Sequence, residues 1–179
     1  MLFLSSADLL FSDELIFSKE IGTVKLNIPD DQTLRKYLGI KETEGEFILP
    51  QIRQGILIVE IFNMYCPHCH HFAPKVNELY SIINTRPDTK GRVVMLGIGV
   101  GNSPFEVNIF RKKYNVAFPL FDDKGYSVAN RLEGVLTPHF FGMIIDGKGG
   151  YRVFYSLDGG FENADEFLNN LMKLSSGTK

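Results

Sequence analysis

The side chains with the clearest chemistry are two cysteines three positions apart, in the segment Cys66-Pro67-His68-Cys69. They are the only two cysteines in the chain of 179 residues. Glu60 lies six positions before Cys66 and ends an apolar run. A cysteine pair at this spacing is suited either to exchanging a disulfide or to holding a metal ion or a haem group.

The helix predicted to begin at Pro67 gives the two cysteines different environments. Its N-terminus directs free N–H groups and a partial positive charge at Cys66, which favours the thiolate and makes Cys66 the nucleophile. Cys69 lies one turn inside the helix, where we expect deeper burial and a higher pKa. Positions i and i+3 of a helix share one face, so a disulfide between them can close and reopen. His68, between the cysteines, is a candidate for stabilising the Cys66 thiolate further.

Glu60 is a candidate for proton transfer. Its neighbours in the sequence are apolar, so the strand that carries it is predicted to be buried and its carboxyl group to be desolvated. A desolvated carboxyl group has a raised pKa, and near Cys69 it can pass protons to and from the leaving thiol.

The elements predicted from apolar periodicity and end signals alternate between strands and helices. In chain order they are a strand at 24–28, a short helix capped by Asp30 or Asp31 and ended by Gly39, a strand at 56–62, a helix at 67–84 with a kink at Pro74, a strand at 92–98, a helix from the capping box at 103–106 to 114, a strand at 118–121, a turn at 123–125, a short helix at 126–132, hairpin strands at 139–145 and 151–156, and a final helix capped at 163–166. This order predicts the α/β class, with a central mixed β-sheet flanked by helices on both faces.

Composition favours one core and excludes several partners. The chain is 44% apolar with a net charge of −2, which suits a single globular domain. We assign residues 46–179 to that domain and residues 1–45 to an N-terminal extension packed on it. Like charges do not cluster, so nucleic acid is not an expected partner, and no apolar stretch in the given chain is long enough to span a membrane. The first residues lack the basic start of a secretory signal and are interpreted as mature sequence.

Several of these residues together resemble the thioredoxin superfamily over roughly residues 45–175. They are Glu60, the Cys66–Cys69 segment, Pro74 and the pair Thr137-Pro138. The active-site tetrapeptide resembles that of the DsbA oxidases, whereas the body resembles the TlpA/ResA group of exported oxidoreductases through residues 93–99, 110–114, 118–122 and 136–138. The sequence departs from the family pattern in two places, since no Trp precedes Cys66 and Phe72 replaces an acid of the ResA type.

The resemblance implies a thioredoxin-like fold and a thiol-disulfide oxidoreductase. Cys66 would form a mixed disulfide with a protein substrate and Cys69 would resolve it, while Pro67, Thr137 and Pro138, the last in a cis-proline loop, would bind that substrate. The expected partners are protein thiols or disulfides and a redox partner protein, with no bound cofactor and no metal, in a periplasmic or other extracytoplasmic location. The resemblance of the tetrapeptide to the DsbA oxidases favours oxidation of substrates. The resemblance of the rest of the domain to the TlpA/ResA group favours a specific reduction, such as that of apocytochrome cysteines.

Three alternatives use the same residues differently. The segment from Cys66 to His70 matches the C-x-x-C-H pattern of haem attachment, and His70 or His71 could complete a zinc site with the cysteines. A third alternative is a redox-inert, chaperone-like domain that has the thioredoxin-like fold but does not exchange disulfides. We favour the oxidoreductase because a buried strand leads directly into the cysteine motif and the second half of the chain is rich in predicted strands. His70 and His71 are then expected to be solvated, and His139 to begin a strand.

Overall fold

The computed structural model describes residues 21–132 and 135–177. The first residues, interpreted above as mature sequence, lie outside this part of the chain. The strands are β1 Lys25–Asn27, β2 Glu46–Ile48, β3 Gly55–Phe62, β4 Val93–Val100, β5 Leu120–Asp123, β6 His139–Ile145 and β7 Tyr151–Asp158. The helices are α1 Gln32–Leu38, α2 Pro67–Thr85, α3 Pro104–Tyr114, α4 Ser127–Arg131 and α5 Ala164–Gly177.

Five strands form one mixed sheet in the order β5-β4-β3-β6-β7, which confirms the predicted fold class. β3, β4 and β5 run parallel to one another, whereas β6 is antiparallel to β3 and β7 is antiparallel to β6. β3 therefore lies at the centre, as its continuous apolar sequence predicts for a strand covered on both faces.

Helices cover both faces of this sheet, and each face has its own apolar cluster. Alternate residues of β3 point to opposite faces, so that Leu57 and Val59 join one cluster while Ile58 and Phe62 join the other. The second cluster receives the apolar faces of α2, α3 and α5, including Cys69. The first receives residues of α1, α4 and the segment that begins at Ile21.

α2 begins directly after β3 because the local sequence favours a helix start there. Cys66 is the N-cap residue in an extended conformation, and Pro67 occupies the first turn, where a missing N–H has no cost. The helix presents its buried positions to the sheet at helical spacing, namely Cys69, Ala73, Val76, Leu79 and Ile83. Pro74 lies inside the helix on its exposed side.

The N-terminal part of the described chain contributes a small second sheet. The strand predicted at 24–28 is present as β1, and it pairs antiparallel with β2, a strand that the sequence did not indicate. Asp31, rather than Asp30, caps α1, because its side chain accepts from Thr33 N at 2.6 Å. The β1–β2 pair spans the boundary proposed between residues 45 and 46, and the division into extension and domain stays a prediction.

The remaining predictions differ from the structure mainly at element ends. β5 begins two residues later than expected, and β4 and β7 each extend two residues further. α3 has the predicted capping box, formed by Ser103 and Glu106. Among the described residues, no helix has the length and apolar character needed to cross a membrane.

Candidate active site

Cys66 lies at the start of α2, facing the segment that precedes β6. Its Sγ is 3.5 Å from the backbone N of Cys69 and 3.1 Å from the carbonyl oxygen of Thr137, and its side chain is half-buried. The contact with the Thr137 carbonyl belongs to the thiol, because a thiolate has no proton to donate. The sulfur thus has one acceptor for its protonated form and several donors for its ionised form.

The donors decide the ionisation of Cys66. Partial burial by itself would raise its pKa, but hydrogen bonds from the side-chain hydroxyl of Thr137 and the backbone N–H groups of Cys69 and His68 stabilise the anion. The net result is a pKa for Cys66 below the ordinary value of a thiol. The thiolate therefore depends on groups from both α2 and the segment before β6.

Cys69 has the opposite environment. Its side chain is 0% exposed, and both cysteines are free thiols. Burial, with smaller contributions from the negative charges that Cys66 and Glu60 can carry, raises the pKa of Cys69 to about 12. At neutral pH, Cys69 is a protonated thiol and Cys66 is the sulfur with the greater thiolate character.

Glu60 lies on β3, on the same face of the sheet as Cys69. Residues two positions apart in a strand share a face, so Glu60 lies on the face of Ile58 and Phe62, whose side chains pack in the cluster that contains Cys69. The residue is 1% exposed, and neither carboxyl oxygen has a hydrogen-bond partner within the described chain. Burial raises the pKa of Glu60 to about 8, so this group can hold or release a proton near neutral pH.

Two asparagines fix the loop that leads from β3 to Cys66. The amide of Asn63 donates to the Val100 carbonyl at 2.8 Å and accepts from Tyr65 N at 2.8 Å. Asn102, which is completely buried, accepts from Met64 N at 2.7 Å. The cysteine loop is therefore tied to the end of β4 by side-chain amides.

The Thr137-Pro138 segment faces the cysteines and is anchored to the residue that follows β7. The peptide bond between the two residues is cis, Pro138 is buried, and its carbonyl accepts from Gly159 N at 2.8 Å. His139, the first residue of β6 as expected, is 5% exposed. These contacts place Thr137 beside Cys66.

A polar cluster holds His139 at the junction of β6 and β7. Its Nδ1 lies 2.6 Å from Asp158 Oδ1 and its Nε2 lies 2.9 Å from Ser156 Oγ. No local pattern indicates this cluster, because Ser156 and Asp158 lie 17 and 19 positions from His139 in the sequence. They meet His139 only through the pairing of β6 with β7.

Pro67 and His68 occupy the exposed first turn of α2. The backbone N–H of His68 contributes to stabilising the Cys66 thiolate. A role for its imidazole ring stays a prediction.

His70 differs from the expectation of a solvated residue. It is partly buried, with Nε2 2.6 Å from the Met64 carbonyl and Nδ1 hydrogen-bonded to the Tyr114 hydroxyl. A carbonyl can only accept, so Nε2 carries a proton and donates to Met64, whereas the Tyr114 hydroxyl can either donate to Nδ1 or accept from it. An axial haem ligand or a zinc ligand at this position would have to break one of these contacts.

His71 is exposed, as expected. No cluster of three or more His, Cys, Asp or Glu side chains suited to a metal ion occurs among the described residues.

Tyr65 and Glu106 form a contact that the sequence reasoning missed. The Tyr65 hydroxyl donates to the Glu106 carboxylate, which also accepts from Ser103 N at 2.7 Å and from Ser103 Oγ at 2.6 Å. The hydrogen bonds of Ser103 and Tyr65 lower the pKa of Glu106 to about 2, so it is a carboxylate at neutral pH. The residue before Cys66 is thereby joined to the start of α3.

Comparison with known proteins adds to this description at the level of fold. No protein-family model matches the chain, and a comparison with curated proteins found no match. Solved structures do match it. A secreted disulfide oxidoreductase of Mycobacterium tuberculosis shares 18% identity and a TM-score of 0.54, covering 73% of this chain and 90% of that one.

Three further structures give the same result. StoA from Bacillus subtilis matches with 16% identity and a TM-score of 0.55, over 72% of this chain and 90% of that one. A hypothetical protein of Sinorhizobium meliloti matches with 17% identity and a TM-score of 0.58, over 86% and 82% respectively. A thioredoxin-like protein in its oxidised form is also similar, with a TM-score of 0.52.

The fold is thioredoxin-like. At these identities the comparisons establish the architecture alone. In this thioredoxin-like chain, β3 carries Glu60, the start of α2 carries the cysteines, and the segment before β6 carries Thr137-Pro138.

Proposed function

We propose that the protein is a thiol-disulfide oxidoreductase that exchanges a Cys66–Cys69 dithiol and disulfide with protein substrates, acting mainly as an oxidant. One observation carries this proposal. A half-buried Cys66 whose pKa is lowered lies one helical turn from a buried Cys69 whose pKa is raised to about 12. This asymmetry separates an attacking or leaving sulfur from a resolving sulfur.

In the oxidising direction, a substrate thiolate attacks Sγ of Cys66 in the Cys66–Cys69 disulfide. The new bond joins substrate sulfur to Cys66, while the bond to Cys69 breaks and Cys69 leaves as a thiolate that takes up a proton. A second substrate thiolate then attacks the substrate sulfur of the mixed disulfide, and Cys66 leaves as a thiolate. The two substrate thiols together give two electrons to the Cys66–Cys69 disulfide and lose two protons as they ionise. Cys69 ends as a thiol and Cys66 as a thiolate, so one proton is released to solvent.

Glu60 supplies the proton that Cys69 needs on leaving. The buried carboxyl group has a pKa of about 8, so it is largely protonated at neutral pH, and it lies on the same face of the sheet as Cys69. Because the pKa of Cys69 is higher than that of Glu60, the proton moves to the thiolate favourably. In the reverse direction, Glu60 takes the proton back.

The lowered pKa of Cys66 supports the oxidising direction of exchange. Donors that lower the pKa of Cys66 stabilise the reduced protein relative to its disulfide, and a protein with a stabilised reduced form is an oxidant. Reoxidation requires a partner protein that accepts the two electrons through its own disulfide. The resemblance of the tetrapeptide to the DsbA oxidases supports the same direction.

Substrate binding is proposed for Pro67, Thr137 and Pro138. Pro67 is exposed beside Cys66, and Thr137 lies within hydrogen-bonding distance of the reacting sulfur. His68, exposed in the same turn, is proposed to tune the thiolate. An extracytoplasmic location is proposed because a structurally similar protein is a secreted disulfide oxidoreductase.

The test combines a reduction potential with covalent trapping. Equilibration with glutathione buffers should give a potential well above that of a thioredoxin, and a Cys69→Ser variant should accumulate mixed disulfides with cellular proteins through Cys66. The matched control is the Cys66→Ser variant, which should trap far less. A potential of about −270 mV, that of a thioredoxin, would contradict the oxidising direction. Equal trapping by the two variants would contradict the assignment of Cys66 as nucleophile.

A further inference from the structure

His70 contacts the cysteine segment at two points, although the proposed exchange does not use this residue. Its backbone N–H donates to the Cys66 carbonyl at 3.2 Å, as part of α2. Its ring reaches back to the loop before α2, where Nε2 donates to the Met64 carbonyl at 2.6 Å. A side chain of α2 therefore holds the backbone two residues before the reacting sulfur.

Met64 is held at both of its backbone polar groups. Its N–H donates to the buried side chain of Asn102 at 2.7 Å, and its carbonyl accepts from His70. The turn that follows is closed by Cys66 N, which donates to the Asn63 carbonyl at 3.1 Å. The path of the chain into Cys66 thus depends on one side chain from the loop after β4 and on one side chain from α2.

The ring of His70 is oriented by α3. Its Nδ1 is hydrogen-bonded with the hydroxyl of Tyr114, the last residue of α3, and its centroid lies 5.8 Å from the ring of Phe110. Tyr114 is itself fixed, because its carbonyl accepts from Asn77 on α2 at 2.7 Å. An imidazole with both nitrogens engaged cannot rotate without breaking a hydrogen bond. The N–H that Met64 accepts is therefore aimed by a second helix.

The surroundings of the Cys66 sulfur are sensitive to how the loop is held. Its Sγ lies 3.5 Å from Cys69 N and 3.1 Å from the Thr137 carbonyl oxygen. Hydrogen bonds weaken steeply as their distance and angle depart from the optimum. Because the loop delivers Cys66 to the N-terminus of α2, a shift of the Met64 backbone changes the distances from the sulfur to these groups.

We propose that His70 is a positioning residue for Cys66, and that it transmits the support of α3 to the cysteine loop through its hydrogen bonds with Tyr114 and Met64. The proposal rests on the proposed function, since it concerns the reactivity of the same sulfur. In this role His70 acts on Cys66 only through the backbone of the loop. A ring that served packing alone would not need a hydrogen bond at each nitrogen.

The experiment compares His70→Phe with His70→Gln in the full-length protein. Phe keeps a ring and loses both hydrogen bonds, whereas the amide of Gln can still donate to the Met64 carbonyl. In the Phe variant, we expect the pH midpoint of Cys66 alkylation by iodoacetamide to rise by about half a unit, and the equilibrium constant for oxidising glutathione to fall about threefold. The Gln variant should stay close to the unmodified protein in both measurements.

Tyr114→Phe tests the contribution of α3. The substitution removes only a hydroxyl group, so it also carries the test if His70→Phe does not fold. Without that hydroxyl the ring of His70 loses its contact at Nδ1, and the alkylation midpoint should shift in the same direction by a smaller amount. The matched control is His71→Phe, which changes the exposed neighbouring histidine and should leave both measurements unchanged.

Urea unfolding of the same variants separates positioning from stability. A His70→Phe variant that is less stable but keeps the alkylation midpoint and the equilibrium constant would overturn the inference, because His70 would then serve stability alone. Failure of Gln to restore the values that Phe changes would also overturn it, since ring packing would be responsible. An unchanged midpoint in Tyr114→Phe would overturn the transmission from α3. If neither glutathione nor dithiothreitol reduces the disulfide of the unmodified protein, the proposed function itself fails, whatever the variants show.

Discussion

The ionisation of Cys66 depends on Thr137, a residue 71 positions away in the sequence. The Thr137 hydroxyl is among the donors that lower the pKa of this thiol. A hydrogen bond to a charged group contributes roughly 1.5–3 kcal/mol, and half-burial reduces this. Thr137→Val keeps the side-chain shape without the donor, so we expect the Cys66 pKa to rise by about one unit. Iodoacetamide alkylation across a range of pH measures that shift.

Thr137→Ser is the matched control, because it keeps the hydroxyl and loses only a methyl group. Its alkylation midpoint should stay close to that of the unmodified protein. A Val variant whose midpoint equals that of the Ser variant would show that the backbone N–H groups alone stabilise the thiolate. In all these proteins, Cys69 should remain unreactive below about pH 10, since its pKa is raised to about 12.

The buried carboxyl group of Glu60 should make the free energy of unfolding depend on pH. Its folded-state pKa of about 8 lies above the ordinary value of 4.5, so between these values the folded protein binds more protons than the unfolded chain. Stability therefore falls as pH rises through this window, by up to about 1.4 kcal/mol per pH unit from this group. Glu60→Gln removes that slope. Urea unfolding of the reduced protein at pH 5, 6, 7 and 8 measures it.

Cys66 contributes with the opposite sign, which determines how the Glu60 experiment is done. A thiol whose folded-state pKa is lowered adds stability as pH rises from that pKa towards its unfolded value. The Glu60→Gln variant and the protein that retains Glu60 should therefore be compared in a Cys66→Ser background. If the two proteins show parallel stability profiles there, Glu60 is not protonated in the folded state at neutral pH.

At the scale of elements, the loop between β3 and α2 is held by a buried side chain from the end of β4. Asn102 is 0% exposed and accepts from Met64 N. Asn102→Ala leaves that N–H without its acceptor and opens a small cavity, so we expect a loss of about 2 kcal/mol in the free energy of unfolding. Urea denaturation measures it, with Asn130→Ala, an exposed substitution on α4, as the control.

The loss of Asn102 should also disturb the site itself. If the Met64 backbone shifts, Cys66 alkylation should change its rate and its midpoint. A variant that is destabilised but has unchanged Cys66 chemistry would show that the α2 N-terminus and Thr137 position the sulfur without help from β4.

The elements best predicted from the sequence are those with long, regular patterns. β3, α2 and α3 have apolar periodicity together with proline or capping signals, and their positions match the structure to within one residue. β2 shows no alternation of apolar and polar residues, because Phe47, Ile48 and Leu49 are consecutive apolar residues followed by Pro50, and its pairing with β1 depends on the intervening α1. Pattern reasoning fails where an element is defined by its partner.

The residues of the candidate site likewise divide into those that the sequence predicts and those that it does not. Local sequence accounts for the cysteines at the helix start and for the burial of Glu60 in a central strand. His70, the Tyr65–Glu106 contact and the His139 cluster were missed because each depends on groups 17 to 44 positions away. Such contacts are set by strand order and helix packing, which spacing along one chain does not encode.

At the scale of the whole molecule, the reacting groups converge because three separate connections end at one edge of the sheet. The loop after β3 carries the cysteines, the loop after β4 carries Asn102, and the segment before β6 carries Thr137-Pro138. The parallel order of β3 and β4 and the antiparallel entry of β6 place these three segments side by side. Thiolate stabilisation is thus a property of the folded sheet and disappears on unfolding.

This dependence on the fold predicts which redox form unfolds first. If the folded protein stabilises the reduced pair relative to the unfolded chain, the thermodynamic cycle requires the reduced form to be the more stable one. Every 30 mV by which the folded potential exceeds the unfolded potential corresponds to about 1.4 kcal/mol of added stability. Urea unfolding of both forms at pH 7 measures the difference, and a separate measurement of the potential should agree with it. A more stable oxidised form would instead assign the protein to the reducing direction, because folding would then favour the disulfide.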